Sequence, residues 1–289
     1  MRVERVYDWS VDNGLRERDP QSQDPSIRPP ETVRIGHISD THLGKGEPGV
    51  RRTEMRHWLE TLGGLDTEVI AHSGDLVEDP ADTEVVDGAF EVIEDLDVPV
   101  LGVPGNHDVK TPGEGGAITE RWGPFPRVEE VRSVEFLLLD SMAWPPAGER
   151  SQREHGAAEE TGFYSRGGVG PDQRRELREL LDESADKPRV VVVHHHLRQP
   201  APPKPWYEEH ADLMEPMVDA DRLLELARDV GVQLIVHGHR HQYVTPYHPF
   251  AELVLINGGS CTREQSPKRA RMIDMADDGE AMRIWELAR

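Results

Sequence analysis

The run Arg189-Val190-Val191-Val192-Val193 constrains this chain more than any other stretch. Successive β-branched residues favour an extended backbone. Side chains alternate across a strand, so four valines in a row are apolar on both faces. That is the pattern of a strand inside a parallel sheet covered on both sides. The run ends at once in His194-His195-His196. Three adjacent imidazoles after a doubly buried strand are hard to explain as packing, and a metal-ligand role is the reading preferred here.

The same arrangement recurs along the chain. Val33 to Ser39 reads as a strand that ends in Asp40-Thr41-His42. Positions i and i+2 point the same way on an extended chain, so Asp40 and His42 could share an ion. Val69 to Ser73 exits at Gly74-Asp75, where glycine permits a sharp turn. Val98 to Val103 passes through Pro104-Gly105 to Asn106-His107-Asp108. Val232 to Val236 delivers His237-Gly238-His239-Arg240-His241. Helical spacing fills the gaps, as in Met55, Leu59 and Leu62, then Val86, Phe90 and Ile93, then Leu223, Leu224 and Ala227. Taken singly, each exit has an ordinary explanation as a polar turn, with His37 as a packed core histidine and Asp108 as a turn residue. Together they describe an alternating α/β chain whose strand exits converge on one edge of a sheet.

The ligand types gathered there are nitrogen and carboxylate without sulfur, which suits Zn, Mn, Fe, Co or Ni. Asp40, His42, Asp75, Asn106, one histidine of the triple, His239 and His241 exceed the four ligands of a tetrahedral zinc. Two divalent or trivalent ions bridged by one carboxylate use them all. Such a pair can clamp the attacking and leaving oxygens of a phosphoryl displacement.

Composition narrows the partners. The formal net charge is -22, from 33 basic and 55 acidic residues, and lysine occurs only at 45, 110, 187, 204 and 268. An acidic surface poor in lysine is expected of a halophilic protein, because salt screens its self-repulsion. It argues against broad binding to nucleic acid. The nearest basic run is Arg263, Lys268, Arg269 and Arg271. Cys261 is the sole cysteine, so neither an intrachain disulfide nor a cysteine-based zinc site can form. No apolar run approaches the ~20 residues of a membrane span, and the first residues carry no signal-peptide core, so a cytoplasmic location is expected.

Residues 1–32 are polar, with prolines at 20, 25, 29 and 30. They are expected to form an extended surface arm outside a domain of residues 33–289. Residues 143–170 and 200–217 read as long excursions, the second carrying Trp206, Tyr207 and His210, and either could wall a substrate pocket.

The order and spacing of these motifs resemble the calcineurin-like metallophosphoesterase superfamily. The resemblance runs from Val33 to about Gly259 and rests on Asp40-Thr41-His42, Gly74-Asp75, Gly105-Asn106-His107-Asp108, the histidine triple and Gly238-His239-Arg240-His241. Ile38 to Leu43, the triple and Asn257 to Thr262 are most similar to the cyclic-nucleotide phosphodiesterase-like (class III) group. The resemblance implies a four-layer α/β/β/α sandwich with a dinuclear metal site at the carboxyl edge of the strands. It places Asp40, His42 and His241 on one ion, and Asn106, His239 and one histidine of the triple on the other, with Asp75 bridging. His107 would be the catalytic histidine that is not a ligand, protonating the leaving alkoxide or steadying the phosphoryl oxygens. Many relatives have His-His-Pro where Leu197 follows His196 here, so His194 and His195 both stay open, with His195 preferred. The implied reaction is hydrolysis of a small phosphodiester or phosphomonoester, such as a cyclic nucleotide, by a hydroxide bridging the metals. A DNA-repair-type nuclease would need a basic groove with aromatics. A non-catalytic metal-binding scaffold for partner proteins would tend to lose His107 or a ligand.

Overall fold

The computed structural model describes residues 1–109, 116–143, 157–158, 163–164, 167–181, 187–197, 216–241, 245–262 and 268–289. The first part of the chain forms β1 (Arg2–Ser10), β2 (Gly14–Arg18), β3 (Thr32–Ile38), α1 (Val50–Gly63), β4 (Val69–His72), α2 (Thr83–Glu94), β5 (Val100–Gly102) and α3 (Ala117–Trp122). There follow β6 (Arg127–Val131), β7 (Val134–Leu138), β8 (Ala157–Ala158), β9 (Phe163–Tyr164), α4 (Gly170–Leu180) and β10 (Arg189–Val192). The last part forms α5 (Ala220–Asp229), β11 (Val232–His237), β12 (Tyr247–Phe250), β13 (Leu253–Asn257), β14 (Arg269–Ala276) and β15 (Ala281–Ala288). Trp206, Tyr207, His210 and Arg263, with most of both long excursions, lie outside the described residues.

Among the described residues the strands form two main sheets, ordered β2-β1-β15-β14-β3-β4-β5 and β12-β13-β11-β10-β7-β6. Strands β3, β4 and β5 run parallel in the first sheet, as do β7, β10, β11 and β13 in the second. Three apolar cores define the layers. One joins Ile35, Val69 and Val103 of the first sheet to Phe136, Val190, Val192 and Val236 of the second. Another packs α1 and α2, through Trp58, Leu62 and Phe90, on the outer face of the first sheet. A third packs α4 and α5, through Leu177, Leu223 and Ala227, on the outer face of the second. The chain is therefore an α/β/β/α sandwich.

The valine run shows why. Val190 and Val192 face the inter-sheet core, and Val191 and Val193 face the helices. All four are buried, each contributing roughly 1.5–3 kcal/mol against exposure.

The expected N-terminal arm is corrected. Strand β1 pairs antiparallel with β15 from Arg2↔Ala288 to Ser10↔Ala281, and β2 pairs with β1. Val6, Tyr7 and Trp9 are buried in the cores. The charged residues that gave the segment its polar composition pair along the surface of the sheet. Asp8 accepts from Arg18 at 2.8 Å and from Arg283 at 2.7 Å.

Strands β3, β4 and β5 end at the same edge as β10 and β11. Their exits therefore face one another across the sandwich, which brings residues 40–42, 75 and 106 opposite residues 194 and 239–241.

Candidate metal centre

Each exit is held by the strand before it and by the backbone it turns into. Asp40, His42, Asp75, His239 and His241 all have positive φ, at 53°, 44°, 55°, 71° and 52°. Left-handed backbone costs a non-glycine residue on the order of 1–3 kcal/mol and persists only where its surroundings enforce it. Here the backbone N–H groups of Asp40 and His42 donate to the carbonyls of Gly74 and Asp75. The Asp40 carboxylate accepts the His239 backbone N–H at 3.0 Å, which ties the two sheets together.

The side chains form two adjoining groups. In the first, His42 Nε2 lies 2.8 Å from His241 Nε2, and His241 Nε2 lies 3.2 Å from Asp40 Oδ1. Asp75 Oδ2 stands 3.4 Å from His42 Nε2. In the second, Asn106 Oδ1 lies 3.0 Å from both His194 Nε2 and His239 Nδ1, and those nitrogens are 3.3 Å apart. Asp75 Oδ1 reaches toward this group, 3.5 Å from His194 Nε2. Asp75 thus turns one oxygen toward each group.

His194, not the preferred His195, is the histidine directed at Asn106, His239 and Asp75. Alternation along β10 decides it. Even-numbered residues face the inter-sheet core, and His194 continues that face beyond Val192. His195 Nδ1 instead bonds Ser141 Oγ at 2.8 Å. A ligand atom of His195 still lies within 4.8 Å of ligand atoms on His194 and His239.

The donor set suits cations. His194 Nδ1 faces the Ser73 carbonyl at 2.8 Å, and a carbonyl only accepts, so this nitrogen carries a proton. His42 Nδ1 likewise donates to the Glu78 carboxylate at 2.8 Å. Without a second proton, each ring turns the lone pair of Nε2 into a cluster of other acceptors. Burial pushes His42 down to about 4, against the upward pull of Glu78 and Asp75. Burial and the neighbouring histidines hold His239 well below the usual range. Burial raises the Asp40 and Asp75 carboxyls, but the imidazoles around them outweigh it and hold both low. Burial lowers His194, yet Asp75 and Asp40 pull it up on balance. Two buried carboxylates require a positive charge beside them, which a metal ion would supply.

His107 stands beside this cluster. Its backbone N–H donates to Asp75 Oδ1 at 2.8 Å, and its ring meets that of His42 edge to face, centroids 4.6 Å apart. Its side chain keeps 18% of its exposure, whereas His42 keeps 1%. Asp108 braces the turn. Its carboxylate accepts backbone N–H groups from Leu76, Val77 and Gly105 at 3.1, 3.0 and 2.9 Å. His37 is a packed core histidine, bonded to Ser73 Oγ at 2.9 Å.

One residue had no signal in the sequence. Glu78 joins His42, His107 and Lys45, and an acidic residue in a polar turn carries no period or spacing that marks it.

Comparison with known proteins identifies the family. The model of the calcineurin-like phosphoesterase family matches residues 33–243. The 3',5'-cyclic adenosine monophosphate phosphodiesterase CpdA of Haemophilus influenzae is 27% identical over 73% of this chain and 71% of its own. A probable cyclic nucleotide phosphodiesterase of Pseudoalteromonas is 26% identical over 87% of this chain and 91% of its own. The DNA double-strand break repair protein Mre11 of Haloferax volcanii is 26% identical, over 66% of this chain and 40% of its own. Among solved structures, a dimetal phosphatase from Danio rerio superposes with a TM-score of 0.60 at 14% identity, covering 89% of this chain and 98% of that one. The chain belongs to the calcineurin-like phosphoesterase family and is a hydrolase of phosphate esters.

Proposed function

We propose that the protein hydrolyses a small phosphodiester, with cyclic nucleotides the first candidates, at a site holding two transition-metal ions. Asp40, His42 and His241 would hold one ion, Asn106, His194 and His239 the other, and Asp75 would bridge them. Bound together, two such ions stabilise charge on phosphoryl oxygens and lower the pKa of water toward neutrality.

The observation that carries the reading is the placing of His107. It is anchored to the bridging carboxylate through its backbone, yet its ring stands outside the ligand groups and partly exposed. Its Nδ1 lies 3.4 Å from the Glu78 carbonyl. From there it can protonate a leaving alkoxide or donate to a phosphoryl oxygen.

A nucleic-acid substrate is disfavoured. Lys268 pairs with Glu54 at 2.7 Å, Arg269 with Glu4 at 2.5 Å and Arg271 with Glu286 at 2.8 Å, so these members of the basic run are engaged. The cyclic-nucleotide preference is supported by two relatives so named, each aligned over more than two thirds of both chains. No helix among the described residues is long and apolar enough to cross a membrane. We further propose that the protein works in the cytoplasm of a salt-adapted cell, on the strength of its charge of -22.

The test is a substrate panel. Protein loaded with Mn²⁺ in high salt is assayed on cyclic nucleotides, bis-nitrophenyl phosphate and nitrophenyl phosphate. Turnover of the diesters is expected. Turnover of none of them overturns the proposal, and turnover of the monoester alone overturns the diester assignment.

A further inference from the structure

After β13 the chain leaves the second sheet and returns to the first, where β14 lies. It departs at the ligand edge, since Asn257 pairs with His237 across β13 and β11. The departing segment is Asn257-Gly258-Gly259-Ser260-Cys261-Thr262, and its Asn257, Ser260 and Thr262 are buried. On the second sheet, Asn257 Nδ2 donates to the Gly238 carbonyl at 2.7 Å, and the Gly258 backbone N–H donates to the His237 carbonyl at 2.7 Å. Both bonds grip the turn that carries His239 and His241. On the first sheet, Ser260 Oγ donates to the Asp40 carbonyl at 2.7 Å, and Thr262 Oγ1 donates to the Thr41 carbonyl at 2.6 Å. The fit against β3 is close, because a Cβ at Gly258 would lie 2.7 Å from Ser39 Cβ.

We infer, resting on the phosphoesterase reading above, that this crossover is a clasp that sets the first metal position, with Ser260 and Thr262 as its positioning residues. The ligands of that position come from both sheets, Asp40 and His42 from one and His241 from the other. One segment bonded to both turns fixes the distance between them. Asp40 and His42 have positive φ, at 53° and 44°, and such backbone persists only where its neighbours enforce it. The carbonyls of Asp40 and Thr41 belong to the two peptide units that join these ligands. The two hydroxyls therefore fix the orientation of both units, and through them the direction of both side chains. Asn106 and His194, of the second position, stand on other turns. A buried hydroxyl–carbonyl bond also supports the fold, so positioning and stability are read separately.

The experiment is calorimetric titration of the metal-stripped full chain with Mn²⁺, comparing wild type, Thr262→Val, Thr262→Ser and Ser260→Ala. Thr262→Val is repeated in a His241→Ala background, and urea unfolding of each metal-free protein reports stability. Valine matches the shape of threonine without its hydroxyl, whereas serine keeps the hydroxyl. Removing a residue that orients a ligand costs about 10–100-fold in metal affinity. Thr262→Val and Ser260→Ala should each weaken one of two sites by that order and spare the other. Thr262→Ser should bind as the wild type does. With the first position already damaged by His241→Ala, adding Thr262→Val should leave the remaining affinity unchanged. Ser260→Ala carries the test if Thr262→Val does not fold. Wild-type affinity at both sites in the two hydroxyl-deleted variants overturns the inference, whatever their urea midpoints. So does equal weakening of both sites, which would make the role merely structural. So does a Thr262→Ser protein as weak as Thr262→Val. A wild type that binds no Mn²⁺ overturns the phosphoesterase reading itself, and this inference with it.

Discussion

His42 Nε2 and His241 Nε2 face each other at 2.8 Å, from opposite sheets of the sandwich. His42 keeps the proton of its other nitrogen for Glu78. The pair therefore shares at most one proton where a metal ion could take its place. Filling the site should stabilise the fold, because the ions bind the native arrangement and not the unfolded chain. Free Mn²⁺ at ~100 times its Kd should add about 2.7 kcal/mol. A thermal melt with and without Mn²⁺ measures this. Asp75→Asn should abolish most of the gain, since Asp75 faces both groups, whereas His241→Ala should remove only part. Identical melts with and without metal would contradict the two-ion site.

His107→Ala separates binding from chemistry. His107 is outside both ligand groups, so the variant should keep two metals per chain by elemental analysis. Loss of a general acid costs roughly 10²–10⁴-fold in rate. Turnover should fall by that order, and less for a substrate whose leaving group needs no proton, such as nitrophenolate. A variant that loses a metal would move His107 into the ligand set.

Gly105 stands against Asp75 with no room to spare. A Cβ at Gly105 would lie 2.2 Å from Asp75 Oδ1 and 2.4 Å from the Asp75 backbone nitrogen. Backbone cannot yield as a flexible side chain can, so Gly105→Ala should cost about 1–3 kcal/mol and displace the shared carboxylate. Both the melting temperature and the Mn²⁺ content should drop. Gly63→Ala is the control. Its Cβ would meet only Val98 at 3.7 Å, at the end of α1, and should be neutral or stabilising by up to ~1 kcal/mol. Full metal content in Gly105→Ala would refute the argument.

The strands that carry ligands were legible because β-branched runs stop abruptly at Asp, Asn and His. Sequence alternation could also state that His194 and His195 point to opposite faces. It could not state which face is inward, since that depends on where the second sheet packs, and there it is His194 that turns toward Asn106. Strand β1 was hidden for a different reason. Val6, Tyr7 and Trp9 sit among Arg5, Asp8 and flanking charges, and no apolar run or clean alternation marks them. Its place depends on β15, at the far end of the chain.

The charge of -22 predicts a salt response. Screening shortens from ~10 Å at 0.1 M to ~3 Å at 1 M salt, which relieves repulsion among surface carboxylates. The melting temperature of the metal-free protein should rise with KCl over that range. Replacing several exposed acidic residues with glutamine should flatten the rise. A melting temperature indifferent to KCl would remove the halophilic reading.

Two buried histidines away from the ligand set give the fold an acid limit. His37 bonds Ser73 Oγ, and His72 bonds Thr41 Oγ1 at 3.1 Å while accepting the Gly74 N–H. Burial, helped by nearby Arg271, lowers His37 from 6.5 to about 3, and burial lowers His72 from 6.5 to about 4. A depressed folded value means that the unfolded chain takes up protons first. The contribution of these groups to stability is therefore complete above 6.5 and is lost progressively as pH falls toward the folded values. Each unit is worth about 1.4 kcal/mol, so the two together remove on the order of a few kcal/mol. Urea midpoints of the metal-free protein should fall between about pH 6.5 and pH 4. His37→Gln cannot take up the proton and should show a shallower fall. If its slope matches that of the wild type, His37 is not one of the groups that set the acid limit.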